Sequence, residues 1–154
     1  MTAPTIRTTH VGSLPRSARL RELLTAPEGR DESAFEPAVA ESIREVVRRQ
    51  AEAGIDIAND GEQSRIAYSV DVTTRMSGFG EGTVERAWPA DLDDFPEYAW
   101  ELLGDTDNIG GPVATGPVEY VAEGDLRRDL ARFDDATDAE GVEFPGRFHT
   151  APSP

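Results

Sequence analysis

The clearest pattern of apolar and polar positions along the chain is a helical one between residues 33 and 53. Apolar residues recur there at spacings of three and four, with charged residues on the other faces: Val39, Ile43, Val46, Val47 and Ala51. This spacing predicts an amphipathic helix. Ser33 and Glu36 fit a capping box at its start, and Gly54 supplies a left-handed residue at its end.

Short runs of strand-forming residues flank this helix. Residues 5–13 are rich in β-branched side chains and predict a first strand, and residues 55–61 predict a second strand that leaves the helix directly. Strand, helix and strand in this order form a βαβ unit with parallel strands. The polar residues that end the two strands, 10–16 and 60–62, are therefore expected side by side at one end of a sheet.

The middle of the chain has a weaker pattern. Residues 66–76 fit a helix or an extended segment equally well. Residues 81–116 contain several Gly-Pro and aromatic-Pro pairs and predict a long irregular insertion after the second strand. Its aromatic residues indicate that it packs on other parts of the protein: Trp88, Phe95, Tyr98 and Trp100.

A second helix and a third strand are predicted towards the end. Residues 125–136 predict a helix with Asp125 as N-cap and with Leu126, Leu130 and Phe133 on its buried face. Residues 147–153 predict a third strand. The order of elements indicates an incomplete parallel α/β fold, formed as a single partial domain over residues 1–154.

Composition narrows the classes of function. The net charge is −15, with a balance of −2 over residues 1–65 and −13 over residues 66–154, so the surface would repel nucleic acid. Every basic residue is arginine and there is no cysteine, which excludes lysine Schiff bases, thiolate nucleophiles and cysteine-ligated metals within this chain. No signal pattern or long apolar run occurs, so we expect a cytoplasmic protein that does not enter a membrane.

The strand ends are the candidate small-molecule site, because α/β folds bind ligands at the C-terminal ends of their strands. His10 there fits either a substrate contact or a hydrogen-bonded core residue. Arg16 fits either an anion site or a surface ion pair, and Glu62 either a ligand contact or a solvated turn. His149 fits a structural role better than a metal ligand. The acidic pairs at 93–94 and 134–135 lack metal-ligand spacing and fit solvated faces.

Several short motifs follow one another across nearly the whole chain: Thr8–Arg16, Gln50–Gly54, Asp60–Glu62 with Arg65, Arg75–Phe79, Gly116–Tyr120 and Thr150–Pro154. In this order they resemble the cobalamin-independent methionine synthase family. The likeness is greatest to its shorter single-barrel members and to the related zinc-dependent alkyl transferases that act on thiols.

The resemblance implies the N-terminal part of a (β/α)8 TIM-type barrel. It also implies methyl transfer from a methyltetrahydrofolate-type donor to a zinc-bound thiol such as homocysteine. By analogy, Gly12 and Ser13 would contact the carboxylate of a thiol amino acid, and Glu62 its ammonium group. The substrate-binding residues implied by the family are these and their neighbours: His10, Gly12, Ser13, Arg16, Asp60 and Glu62.

Departures from the family leave alternatives open. The large synthases usually have threonine and glutamine at the positions of His10 and Arg16, and histidine at that of Asp60, so another thiol is an alternative acceptor. The family's zinc ligands lie in later strands, beyond residue 154, so no catalytic or metal-binding residue is assigned to this chain. The isolated chain is expected to be inactive. The alternatives are a non-catalytic ligand-binding module, a half-barrel that pairs with a complementary chain or with a second copy, and a truncated product.

Overall fold

The computed structural model describes residues 6–26, 29–66, 68–85, 94–103 and 108–151. The elements in chain order are α1 (Ala18–Leu24), α2 (Glu32–Glu52), β1 (Ile57–Ala58), α3 (Tyr68–Arg75), β2 (Phe79–Glu85), α4 (Pro96–Leu103), β3 (Asn108–Ala114), α5 (Glu123–Glu140) and β4 (Gly146–Arg147). They form two compact units. The first unit comprises Met1–Arg75 and Ala122–Pro154, and the second comprises Met76–Val121.

Three chain segments of the first unit lie parallel to one another. β1 pairs with β4 in parallel, and Thr9 forms an isolated parallel bridge to Ile57. The strands predicted over 5–13, 55–61 and 147–153 are therefore only one or two residues long as regular structure. The ladder ends early because side chains take its backbone partners: Asn59 donates to the His10 carbonyl, and Arg65 donates to that of Thr150.

Helix α2 buries the apolar face that its spacing predicts, including Val39, Ile43 and Val47. Its start differs from the predicted capping box. The N-cap is Asp31, whose carboxylate accepts hydrogen bonds from the backbone N–H groups of Ser33 and Ala34. A carboxylate can satisfy two of the free N–H groups of the first turn, and the Ser33 hydroxyl itself donates to Asp31.

Helix α5 extends beyond the predicted 125–136 at both ends, and its buried face is not the predicted one. Phe133 is 3% exposed, but Leu126 and Leu130 are 37% and 42% exposed, so their assignment to the core is wrong. The buried face instead follows Asp129, whose carboxylate pairs with Arg75 at 2.5 Å and with Arg132 at 2.7 Å. The predicted N-cap is also wrong, because helix α5 starts after Ala122 without a side-chain cap.

The second unit contains two strands and a helix where the sequence predicts an irregular insertion over 81–116. β2 and β3 pair in antiparallel register from Phe79 opposite Ala114 to Glu85 opposite Asn108, and α4 lies between them in sequence. Their glycines give no alternation of apolar and polar residues, which hid the strands in the sequence. Gly78 precedes β2 at φ 83°, where a Cβ atom would lie 2.2 Å from the Pro117 carbonyl oxygen, so a side chain is excluded there.

The aromatic residues of the second unit do not behave as predicted where the structure describes them. Phe95 is 62% and Tyr98 is 56% exposed, so the expectation that they pack is wrong. Trp88 and the side chain of Trp100 lie outside the described residues. Within the described part of the chain, no helix has both the length and the hydropathy needed to cross a membrane.

Truncating Phe133 should destabilise the protein far more than truncating Leu130 on the same helix. Phe133→Ala empties a site in the core and should lower the free energy of unfolding by about 3–5 kcal/mol. Leu130→Ala removes a partly exposed side chain and should cost about 1 kcal/mol. Urea denaturation of both variants measures the difference, and equal losses would contradict the buried face described here.

Asp56 ties the N-terminal segment to the start of β1, and this tie should depend on pH. Its carboxylate accepts hydrogen bonds from the Thr8 backbone N–H at 2.7 Å and from the Thr8 hydroxyl at 3.1 Å, which lower the Asp56 pKa below 3.8. A lowered pKa stabilises the fold above the unfolded-state value of 3.8, and this stabilisation is lost as pH falls through the folded-state pKa.

Asp56→Asn should therefore lower the Tm at pH 6, and its difference from the unmodified chain should disappear in acid. Asp135→Asn, which removes an exposed carboxylate from α5, serves as the control. Thermal unfolding followed by circular dichroism across this pH range measures both variants. A Tm difference for Asp56→Asn that did not change with pH would contradict the role of the carboxylate.

Candidate functional site

The candidate site is a cluster of polar groups where residues 10–16 meet residues 59–65. The Ser13 hydroxyl donates a hydrogen bond of 2.6 Å to Oε2 of Glu62. The Arg16 guanidinium donates from Nη2 to the backbone oxygens of Glu62 and Arg65, both at 2.6 Å. The structure thus brings together three of the residues that the sequence predicts, from two segments nearly fifty positions apart.

Glu62 has an unusual backbone as well as a buried carboxylate. It is 3% exposed, and its φ of 56° is the one positive value among the described non-glycine residues. Gly61 before it has φ 61°, and its Cα approaches Leu14 and Val46 so closely that a Cβ atom would lie 3.0 Å from each. This strained turn places the Glu62 carboxylate beside Ser13, and backbone strain of this kind is concentrated at functional sites.

Asp60 stabilises the turn at Gly61 and Glu62 through its carboxylate. It is 1% exposed, and its Oδ1 accepts hydrogen bonds from the Glu62 backbone N–H at 3.1 Å and from Arg65 at 3.4 Å. Its Oδ2 lies 3.5 Å from Nδ1 of His149, and neither of these two buried atoms makes a hydrogen bond. Asp60 and His149 therefore lie close together inside the first unit, and Asp60 holds the backbone of Glu62 in place.

His10 and Gly12 belong to the same loop but do not join the Ser13–Glu62 contact. Nε2 of His10 lies 2.9 Å from the Gly12 carbonyl oxygen, so it carries the proton in this hydrogen bond. Gly12 has φ 99°, which glycine adopts readily because it has no Cβ atom. His10 also lines a groove of about 960 Å³ along α2, together with Arg16. The hydrogen bond to Gly12 is compatible with both interpretations of His10, a hydrogen-bonded structural residue and a residue that contacts substrate.

Arg16 is the positively charged side chain next to Glu62 in this cluster. Burial lowers the pKa of Arg16 below its ordinary value, and the nearby Glu62 carboxylate partly offsets this effect. Nε of Arg16 is buried and has no hydrogen-bond partner among the described residues. Among the described residues, this buried N–H is thus a donor without an acceptor.

Sequence reasoning missed the amide side chains that hold the two segments together. Gln50 donates from Nε2 to the Asn59 carbonyl at 2.8 Å and accepts from the Asn59 N–H at 3.2 Å. Asn59 donates to the His10 carbonyl at 2.5 Å, and Gln63 donates to that of Leu14 at 3.0 Å. All three amides are buried. The sequence signal that could have identified Gln50 is its position as a polar residue within the helical pattern of α2.

The residues described here do not fit a zinc site. The chain has no cysteine, and its two histidines, His10 and His149, contact Gly12 and Asp60 respectively. Within the described ranges no group of three or more histidine, aspartate or glutamate side chains is placed to hold a metal ion. A structural or catalytic zinc site takes at least three protein ligands.

Three comparisons with known proteins lead to the same family. The family model described as the catalytic domain of cobalamin-independent synthase matches residues 6–86. The chain is 27% identical, over 88% of its length, to the 5-methyltetrahydropteroyltriglutamate--homocysteine methyltransferase of Thermosynechococcus vestitus, and it spans 20% of that protein. It also superposes with a TM-score of 0.56 on a B12-independent methionine synthase from Shewanella sp. W3-18-1, solved in complex with selenomethionine. That match has 21% identity and covers 85% of this chain and 35% of the other, which shows a shared fold.

Removing the Gln50 amide should loosen the whole site. Gln50→Leu leaves the buried N–H and carbonyl groups of Asn59 without their partner, at a cost of about 2–4 kcal/mol in the free energy of unfolding. Arg49→Ala, at a neighbouring exposed position of α2, should cost less than about 0.5 kcal/mol. Urea denaturation compares the two variants, and similar losses would show that the amide contacts do not stabilise the fold.

Proposed function

Since the chain belongs to the family of the cobalamin-independent synthase catalytic domain, we propose that it carries part of the substrate site of a thiol methyltransferase. The reaction is transfer of a methyl group from a methyltetrahydrofolate-type donor to a thiol such as homocysteine. The named relative acts on homocysteine, and this chain spans a fifth of its length. We assign to the chain the binding of the thiol amino acid, within an N-terminal portion of a TIM-type barrel.

The contact between Ser13 and Glu62 is the observation that carries this proposal. A buried carboxylate pairs with the ammonium group of an amino acid, since opposite charges attract strongly where water is excluded. Ser13 lies within hydrogen-bonding distance of that carboxylate, so its hydroxyl can reach a ligand bound there. The Arg16 guanidinium, whose Nε has no partner among the described residues, is the cation for the ligand's carboxylate.

The roles of these residues are binding and orientation. Glu62 fixes the ammonium end of the amino acid, and Ser13 and Arg16 fix its carboxylate end. Gly12 gives the backbone room to approach the ligand, while Asp60 supports the Glu62 turn. Activation of the thiol is not assigned to this chain, because its described residues do not supply a zinc site.

A second candidate function is an assembly module that binds the ligand without turnover. Leu126 and Leu130 favour it, because they lie one turn apart on α5 and are both partly exposed. Where such side chains belong to a larger apolar patch, they can mark a surface that contacts another chain or segment. Light scattering on the sample used for binding tests this candidate, since a monomer at all concentrations would contradict it.

Binding of L-homocysteine to the purified chain, measured by isothermal titration calorimetry under reducing conditions, tests the main proposal. We expect saturable binding with one site per chain. Glu62→Gln should weaken it about 10- to 100-fold, because the variant loses a hydrogen bond between charged groups that contributes about 1.5–3 kcal/mol.

Glu52→Gln is the matched control, since it removes one carboxylate from the exposed side of α2. It should leave the affinity within about twofold of the unmodified chain, as expected for a surface charge screened by salt. Equal affinities for the Glu62 and Glu52 variants would refute the assignment of Glu62. The absence of any heat of binding would refute the assignment of a substrate site to this chain.

A further inference from the structure

A second cavity of the first unit, separate from the Ser13–Glu62 contact, has a volume of about 280 Å³. The described residues that line it are rich in arginine, although the chain as a whole carries a net charge of −15. Five arginines and three aspartates line this cavity. The arginines are Arg30, Arg65, Arg75, Arg128 and Arg132. A cavity with such a lining is suited to a polar ligand.

Two donors that line the cavity lack a partner. The Oγ atom of Ser64 and the Nε atom of Arg65 are both buried and make no hydrogen bond within the described part of the chain. Arg65 is 3% exposed. Its other guanidinium nitrogens are engaged, with Nη1 donating to the Thr150 carbonyl at 2.7 Å and Nη2 donating to Asp60 at 3.4 Å. A buried donor without an acceptor is costly, so a ligand that supplies one would be favoured.

The other arginines of the lining are paired with acidic groups. Arg75 and Arg132 both contact Asp129, and Arg132 also contacts Glu36 at 2.5 Å. Arg128 contacts Asp125 at 2.7 Å. These pairs hold the guanidinium groups around the cavity in fixed positions. They leave the adjacent donors of Ser64 and Arg65 as the groups that a ligand would meet without breaking an ion pair.

We propose that this cavity binds a small oxyanion, a carboxylate or a phosphoryl group, through the Ser64 hydroxyl and the Nε–H of Arg65. Because Ser64 and Arg65 line the same cavity, their hydroxyl and guanidinium N–H are candidates to donate to two oxygens of one planar or tetrahedral anion. The lining itself carries five arginines against three aspartates, so an anion meets a less negative surface there than on the rest of the chain.

The size of the cavity limits the ligand to a small group. Its 280 Å³ lies just below the usual range for sites of drug-sized ligands, about 300–1,000 Å³. It holds several water volumes of about 30 Å³ each, which suffices for inorganic phosphate or for the end of a dicarboxylate. This proposal does not depend on thiol binding at Glu62, because it rests on a different cavity and different donors.

Titration of the full chain with inorganic phosphate and, separately, with succinate tests the proposal. Chemical shifts of the backbone amides should change in a saturable way around residues 64–66 and 128–132, at constant ionic strength. The relative affinities of the two probes identify the ligand source as phosphoryl or carboxylate, and saturable binding of either supports the site. If neither probe causes saturable changes up to about 50 mM, roughly the weakest range of specific binding, the proposal is wrong.

Variants of matched charge give a second measurement. Ser64→Ala removes one donor without changing the net charge, and it should weaken binding about tenfold. Arg128→Gln, which lies on the lining, should weaken binding several-fold, whereas Arg127→Gln, on the same helix but not on the lining, should leave it within about twofold. Equal effects of the two arginine variants, or unchanged affinity in Ser64→Ala, would overturn the proposal. Amide spectra of each variant confirm folding. Homocysteine binding is measured in a separate titration, so that failure of this proposal can be distinguished from failure of the proposed function.

Discussion

The paired amide contact between Gln50 and Asn59 is the interaction on which the candidate site depends. It joins the end of α2 to the end of β1 by two hydrogen bonds, both buried. Asn59 in turn holds the His10 carbonyl and the Gly61 backbone N–H. Hydrogen bonds from these side chains thus connect the segments that a longer strand ladder would otherwise connect. The parallel segments can therefore be short while the loops beyond them stay fixed.

Fixing these loops allows charged groups to be buried beside one another. Asp60, Glu62 and Arg65 are each at most 3% exposed, a burial that is costly unless the charges are paired and hydrogen-bonded. Arg65 contacts Asp60, and Arg16 donates to the backbone on both sides of the turn. The positive φ of Glu62 adds strain that the surrounding contacts must offset. A site formed in this way is preorganised, so a ligand need not order it.

Buried ion pairs also decide how α5 packs in the first unit. Asp129 is 3% exposed because Arg75 and Arg132 both contact its carboxylate. This selects the face that contains Asp129, Phe133 and Ala136, and it leaves Leu126 partly exposed. The same pairs line the cavity beside Ser64 and Arg65. Packing of the helix and the shape of that cavity therefore have a common cause.

The sequence by itself determined helix α2, the two polar segments that meet at the candidate site, and the family. The apolar spacing of α2, the residues that form the strand ends and the order of motifs need only neighbouring residues to be recognised, because helix periodicity and turn chemistry are local properties. Ser13, Arg16, Asp60 and Glu62 could be chosen as candidates because they lie in motifs that carry the resemblance to the family. Tertiary structure alone decided the Asp31 cap, the exposed leucines of α5, the β2–β3 pairing and the amide contacts of Gln50. Each of these depends on which distant group supplies a partner, and a partner far along the chain leaves no periodic signal in the sequence.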